Sequence, residues 1–154
     1  TMNTLLSQAF TFRPMHKSDV ANIMPQERVL YEYPWTPGNF TDSLNAGHSC
    51  WVYEFGSILV GYAVLMLAAD EAHVLNIAIA SDWQRQGLGR RLMQHLIAIA
   101  REYKAEMMFL EVRPSNQAAR RLYDELGFNE IATRKNYYPS RSGREDAILM
   151  GLSL

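Results

Sequence analysis

The stretch Gln84-Arg85-Gln86-Gly87-Leu88-Gly89-Arg90-Arg91 stands where a β-type run gives way to a long helical stripe, and its reading decides the fold. Two glycines let the backbone approach a ligand closely. The first-turn amides of a helix have no intrahelical partner, and the positive end of the helix dipole favours phosphate oxygens. Arg85, Arg90 and Arg91 add local positive charge, so the segment reads as an anion-binding helix start. A dinucleotide fold would want a third glycine, but position 92 is Leu and no parallel βαβ unit precedes it. A kinase-type phosphate loop would need Gly-Lys-Ser or Gly-Lys-Thr, which is absent. The plainer alternative is a glycine-rich helix start with a solvated basic turn.

Downstream of the glycines, Leu88, Leu92, Leu96, Ala100 and Tyr103, with Met93 and Ile97 beside them, form one broad helical stripe. Upstream, residues 49–54, 58–68 and 73–80 are rich in β-branched and aromatic residues and are separated by short turns. They predict an antiparallel meander that leads directly into the helix. Earlier still, residues 9–13 alternate as a half-buried strand ended by Pro14. Ser18 and Asp19 offer an N-cap before a helix marked by Val20, Ile23, Met24 and Val29, which Pro25 should kink or split. Thr36-Pro37 starts a second helix that Gly47 stops. After the long helix come a buried strand at 107–112 and a helix capped by Pro114-Ser115-Asn116, carrying Ala119, Leu122, Tyr123 and Leu126 and ending at Gly127. Two last strands, 128–138 and 145–152, are joined by the Ser140–Gly143 turn. About four helices and a mostly antiparallel sheet make a mixed α/β fold in a single domain, 1–154.

Composition narrows the function classes. Over 154 residues, fifteen Lys plus Arg against sixteen Asp plus Glu leave a net charge of −1, which argues against direct nucleic-acid binding by bulk charge. At 48% hydrophobic and 20% charged, the chain is globular rather than disordered. Cys50 is the single cysteine, so neither an intrachain disulfide nor a cysteine-based zinc site is available. His16, His48, His73 and His95 show no metal spacing, and no metal cofactor is expected. The first fourteen residues lack a charged start followed by an apolar block, and no run approaches the eighteen apolar residues of a span. A cytoplasmic protein without membrane attachment is expected.

The Gln-x-x-Gly-x-Gly run, Glu111-Val112-Arg113 at the next strand end and Asn116 through Tyr123 to Gly127-Phe128 resemble the GCN5-related N-acetyltransferases (GNAT). Asn76-Ile77-Ala78-Ile79, Leu126-Gly127-Phe128-Asn129, Asn136-Tyr137-Tyr138-Pro139 and Gly143-Arg144-Glu145-Asp146-Ala147 extend the likeness to bacterial ribosomal-protein-alanine N-acetyltransferases of the RimI type. The Asn-Tyr-Tyr-Pro tail is far more specific than the glycines.

That resemblance implies a sheet splayed at a cofactor cleft and acetyl-CoA as acetyl donor. The backbone of Ile77, Ala78 and Ile79 would pair with the pantetheine by strand addition. The pyrophosphate would sit on the amides of Gln84, Arg85, Gln86, Gly87, Leu88, Gly89 and Arg90. Asn116 would hydrogen-bond the cofactor arm, against an ordinary capping role. Glu111 is implied as general base and Tyr123 as acid, against a strand-end carboxylate paired with Arg113 and a packed core phenol. The apolar run around Glu111 is expected to raise its pKa by desolvation. Tyr33, Trp35, Tyr137 and Tyr138 fall in two loops that would flank the acceptor entrance, and Asp70, Glu71 or Asp146 would meet a basic second residue. The implied reaction is direct attack by the N-terminal amine of a protein on acetyl-CoA, with the N-terminal alanine of a small-subunit ribosomal protein as acceptor. A lysine or small-amine acetyltransferase is the rival enzyme. A non-catalytic CoA-binding sensor is the rival from another class, and the presence of Glu111 and Tyr123 argues against it.

Overall fold

The structure, a computed structural model, describes residues 9–154; the N-terminal part of the leader reading lies outside them. Seven strands are formed by Phe10–Pro14 (β1), Ser49–Phe55 (β2), Ile58–Ala68 (β3), Glu71–Ile79 (β4), Met107–Val112 (β5), Asn129–Ser140 (β6) and Gly143–Ser153 (β7). The α-helices are Val20–Leu30 (α1), Pro37–Asn45 (α2), Leu88–Glu102 (α3) and Gln117–Glu125 (α4). The strands form one sheet in the order β1-β2-β3-β4-β5-β7-β6. The β1–β2, β2–β3, β5–β7 and β6–β7 ladders are antiparallel, whereas β4 and β5 run parallel. That parallel ladder extends from Glu71↔Met107 to Val74↔Leu110, and the remainder of both strands, Leu75–Ile79 and Glu111–Val112, lies outside it.

The chain divides into two compact units, one of residues up to Met66 with Leu75–His95, the other of Leu67–Val74 with Leu96–Leu154. In the first unit, alternation along β2 sorts the core. Cys50 and Val52 join Val20, Ile23, Met24, Phe40 and Tyr62 in one cluster with α1 and α2. Trp51 and Tyr53 point the other way. The His95 ring of α3 stacks on Phe12 at 4.1 Å and meets Trp51 edge-on at 4.4 Å, while Phe12 stacks on Tyr53. Gly61 has to be glycine, because a Cβ there would stand 2.8 Å from the Ala78 carbonyl oxygen. In the second unit, Met108, Leu110 and Val112 alternate inward along β5, and Tyr123, Phe128, Ala147, Ile148 and Met150 are buried too.

Four local expectations need correction. Pro14 is the last residue of β1 and still pairs with Trp51. Pro25 does not split α1, because Pro25 and Ala21, whose carbonyl loses its helical donor, both face solvent, where water can replace the bond. Val29 does not belong to the core stripe, being 73% exposed; the buried set of α1 is Val20, Ile23, Met24 and Glu27. Finally, α3 does not follow β4 directly, since a 3-10 turn at Ser81–Trp83 and the glycine loop intervene.

Candidate active site

The first unit carries the glycine loop. Gln84 folds back and its Nε2 donates to the Ile79 carbonyl at 3.0 Å, fastening the loop to the end of β4. Arg85 and Gly87 both adopt left-handed backbone, with φ of 63° and 78°. The first turn of α3 is closed by the Arg91 amide donating to the Gly87 carbonyl at 3.3 Å, and the Leu88 and Gly89 amides precede it, among the helix-start amides that have no intrahelical partner. A non-glycine residue at 87 would be strained by its φ alone, although no atom lies within 4 Å of its Cβ position. Of the three arginines, Arg91 lies over the Phe10 ring at 5.3 Å and packs rather than facing the loop.

The same unit carries the segment from Tyr31 to Trp35. Tyr31 closes α1, its amide donating to the Glu27 carbonyl at 3.1 Å, while its phenol donates to the Ile77 carbonyl at 2.7 Å. Trp35 packs edge-on against Phe40 at 5.0 Å, and Thr36 caps α2 by accepting from the Asn39 amide. Tyr33 is left 46% exposed. The Ile77 backbone, expected to pair with pantetheine, therefore already holds a side-chain donor on its carbonyl, which has a second lone pair.

The second unit carries Glu111, Tyr123, Tyr137 and Tyr138. Glu111 stands on the β5 face opposite Met108 and Leu110, and its side chain is 25% exposed. Its Oε1 lies 3.5 Å from Arg134 Nη2 on β6, whereas Arg113 pairs with Glu145 at 3.5 Å. The cation recorded beside the three-quarters-buried Glu111 carboxylate is thus Arg134, a residue distant in sequence. Tyr123 is buried beside Phe128, and burial pushes its phenol up to about 12. Tyr138 is likewise pushed up to about 12, first by burial and then by the Glu111 charge. The Arg113 guanidinium covers the Tyr138 ring at 4.3 Å and donates to the Pro139 carbonyl at 2.8 Å.

The Asn-Tyr-Tyr-Pro and Gly-Arg-Glu-Asp segments turn out to be one device. Between Arg134↔Ala147 and Tyr138↔Glu145, three residues of β6, 135–137, stand opposite Asp146 alone. Asn136 takes left-handed backbone at φ 54°, which Asn tolerates better than most residues. Its amide donates to Asp146 Oδ1 at 2.9 Å, and Arg144 donates to the Asn136 and Tyr137 carbonyls at 2.6 and 2.9 Å. Glu145 accepts from the Ser115 amide at 2.8 Å, and hydrogen bonds from Ser115 hold its carboxyl below the ordinary range. The bulge lifts Tyr137 outward against Tyr138, the two rings meeting at 5.0 Å.

Several expected site residues are engaged elsewhere. Asp146 is committed to the bulge. Glu71 lies 2.8 Å from His73 on its own strand. Asn116 Oδ1 caps α4 by accepting from the Ala119 amide at 3.2 Å. Among the described residues, no group of three or more His, Cys, Asp or Glu is placed to hold a metal ion. Also among them, no helix is long and apolar enough to cross a membrane. Cys50 is buried, which pushes its thiol up to about 11 and leaves it a poor nucleophile. Sequence reasoning missed Arg134 and Glu27. Glu27 had a signal, a charged residue on the core face of a helix. Arg134 had none, because its contact to Glu111 spans β7.

The first unit thus carries a glycine loop opening α3, and the second a partly exposed carboxylate at the end of β5. The sequence profile of the acetyltransferase (GNAT) family matches residues 17–128. The chain belongs to that family and is an acetyl-CoA-dependent N-acetyltransferase. It is 37% identical over 144 residues, 94% of this chain and 97% of the relative, to the [ribosomal protein bS18]-alanine N-acetyltransferase of Escherichia coli (strain K12). A putative enzyme of the same name from Bacillus subtilis is 32% identical, covering 92% of this chain and 94% of its own. The crystal structure of the Escherichia coli ribosomal-protein-S18-alanine N-acetyltransferase superposes with a TM-score of 0.88 at 37% identity, covering 94% of this chain and 93% of that one. Ard1 from Thermoplasma volcanium superposes at 0.86 with 28% identity, covering 95% and 98%.

Proposed function

We propose that this enzyme acetylates the N-terminal alanine of the small-subunit ribosomal protein bS18, working in the cytoplasm as a single catalytic domain. The observation that carries the reading is the near-full-length match, at 37% identity, to relatives named for that reaction. In the proposed reaction the α-amine attacks the thioester carbonyl, the C–N bond forms, and the C–S bond breaks to release coenzyme A as thiolate. Glu111 takes the amine proton, directly or through a water. Tyr123 donates a hydrogen bond to the thiolate. With its phenol pushed up to about 12, it is a weaker acid than a thiol near 8.5, so stabilising the developing charge suits it better than full proton transfer. The glycine loop holds the pyrophosphate and the Ile77–Ile79 backbone holds the pantetheine. Asn116 contributes through its free amide group while its oxygen caps α4. Tyr33, Trp35, Tyr137 and Tyr138 contact the acceptor, and Asp70 and Glu71 are the remaining acidic candidates for its second residue.

An α-amine suits a single carboxylate base. With a pKa of about 7.7 to 8.0 it is roughly a tenth or more neutral at pH 7, whereas a lysine near 10.4 is neutral in under about one molecule per thousand. The test compares kcat/KM for a free Ala-Arg-initiated peptide, its N-terminally blocked form and a blocked peptide with an internal lysine. The free peptide is expected to react far faster than either. Equal rates for free and blocked Ala-Arg peptides would transfer the reading to a lysine acetyltransferase.

A further inference from the structure

Glu27 is the most deeply buried charged residue of the described chain, at 2% exposure, and no step of the reaction above uses it. It completes the core face of α1 behind Val20, Ile23 and Met24, a position where an apolar residue would ordinarily pack. Burying a carboxylate is unfavourable unless donors surround it, and here they do. Oε1 accepts from the Tyr62 phenol at 2.7 Å and from Asn76 Nδ2 at 3.4 Å; Oε2 accepts from the Trp35 amide at 2.9 Å. Its backbone carbonyl receives the Tyr31 amide at 3.1 Å. One residue thus ties both ends of the segment from Tyr31 to Trp35, and the same carboxylate reaches Asn76, the residue before Ile77.

We propose that Glu27 is a positioning residue for the acceptor: by accepting the Trp35 amide, its buried carboxylate holds the 31–35 loop in the shape that receives the incoming N-terminus. This rests on the reading that Tyr33 and Trp35 contact the acceptor. What the loop needs from position 27 is an acceptor atom, not a charge. A glutamine can supply it, its oxygen turned to the Trp35 amide and its NH2 turned to the Tyr62 oxygen and to Asn76 Oδ1, which is buried and has no hydrogen-bond partner. A methionine of similar length cannot.

The test uses the full chain with Glu27→Gln, Glu27→Met, and Glu27→Met combined with Tyr62→Phe, which removes the buried hydroxyl that Glu27→Met alone would leave without its partner. Acceptor-peptide KM, kcat, acetyl-CoA affinity by calorimetry and hydrogen exchange of the Trp35 amide are measured on each. Glu27→Gln should keep KM within about twofold. Both Met variants should raise KM about tenfold or more and speed Trp35 exchange by a similar factor, with kcat and acetyl-CoA affinity changed by less than about threefold. A folded Met variant with unchanged KM overturns the proposal, as does a fall in kcat matched by lost acetyl-CoA affinity. Should neither Met variant fold, Glu27→Gln decides: a raised KM with the Trp35 amide still protected overturns it, and both unchanged support it. The underlying reading is tested separately by Tyr33→Ala. An unchanged KM there removes the acceptor role of the loop, and with it the function given to Glu27, even where Trp35 exchange shows the tie to be real.

Discussion

The two segments assigned to the acceptor are built in opposite ways. The 31–35 loop is tied from inside by the buried carboxylate of Glu27, with its donors Tyr62 and Trp35. The 135–137 bulge is tied from outside, its amide and carbonyls held by Asp146 and by the exposed side chain of Arg144. The bonds of the second device are exposed to competing water, whereas those of the first are buried or part-buried. A buried donor that loses its partner forfeits its full desolvation energy, whereas an exposed one finds a water molecule. The interior tie should therefore be the stiff one, and the bulge the adaptable one.

The largest effect expected lies beside the bulge but is chemical. Glu111→Gln should lower kcat about a hundredfold or more with little change in acetyl-CoA affinity, and with acceptor KM nearly constant. Near-full kcat from pH 6 to 9 would assign the base to another group or to bulk water. Since burial pushes Tyr123 and Tyr138 up to about 12, both stay protonated throughout that range. The wild-type kcat/KM profile should rise as the amine deprotonates near pH 7.7 to 8.0 and show no fall from tyrosine ionisation below about pH 10.

A smaller effect leaves both segments untouched. Gly87→Val forces a β-branched residue into left-handed backbone at φ 78°, a strain of order 1–2 kcal/mol that the loop can relieve by losing its shape. Calorimetry should show acetyl-CoA binding weakened about tenfold with the fold retained; unchanged affinity would remove the pyrophosphate assignment from this loop. The smallest effect separates the two ties directly. Arg144→Met should raise acceptor KM by less than about threefold, since water takes over the carbonyls of Asn136 and Tyr137. If it matches Glu27→Met, the contrast between inside and outside fails.

How much of this was readable before the structure depended on the range of the interaction. Thr36-Pro37, the Asn116 cap and the 107–112 strand follow from neighbours in sequence, and they appear where the pattern put them. The 20, 23, 24, 27 spacing already placed Glu27 among core positions, but choosing Val29 for the stripe hid it. The bulge was hidden for a different reason. A period-two reading carries β6 smoothly through 128–138, and nothing local reveals that three residues face one on β7 until the side chains of Arg144 and Asp146 are seen closing on it. Glu111 was singled out by resemblance, and the alternative that paired it with Arg113 looked only to its neighbour in sequence, whereas Arg134 is near only across β7.

The central claim is that the acetyl group goes to an α-amine. The most direct measurement incubates purified enzyme and acetyl-CoA with unacetylated ribosomal protein bS18 and locates the added acetyl by fragment mass spectrometry. The account predicts one acetyl group, on the amine of the first alanine, with every lysine unmodified. Acetyl groups on lysine side chains with the N-terminus left free would contradict it.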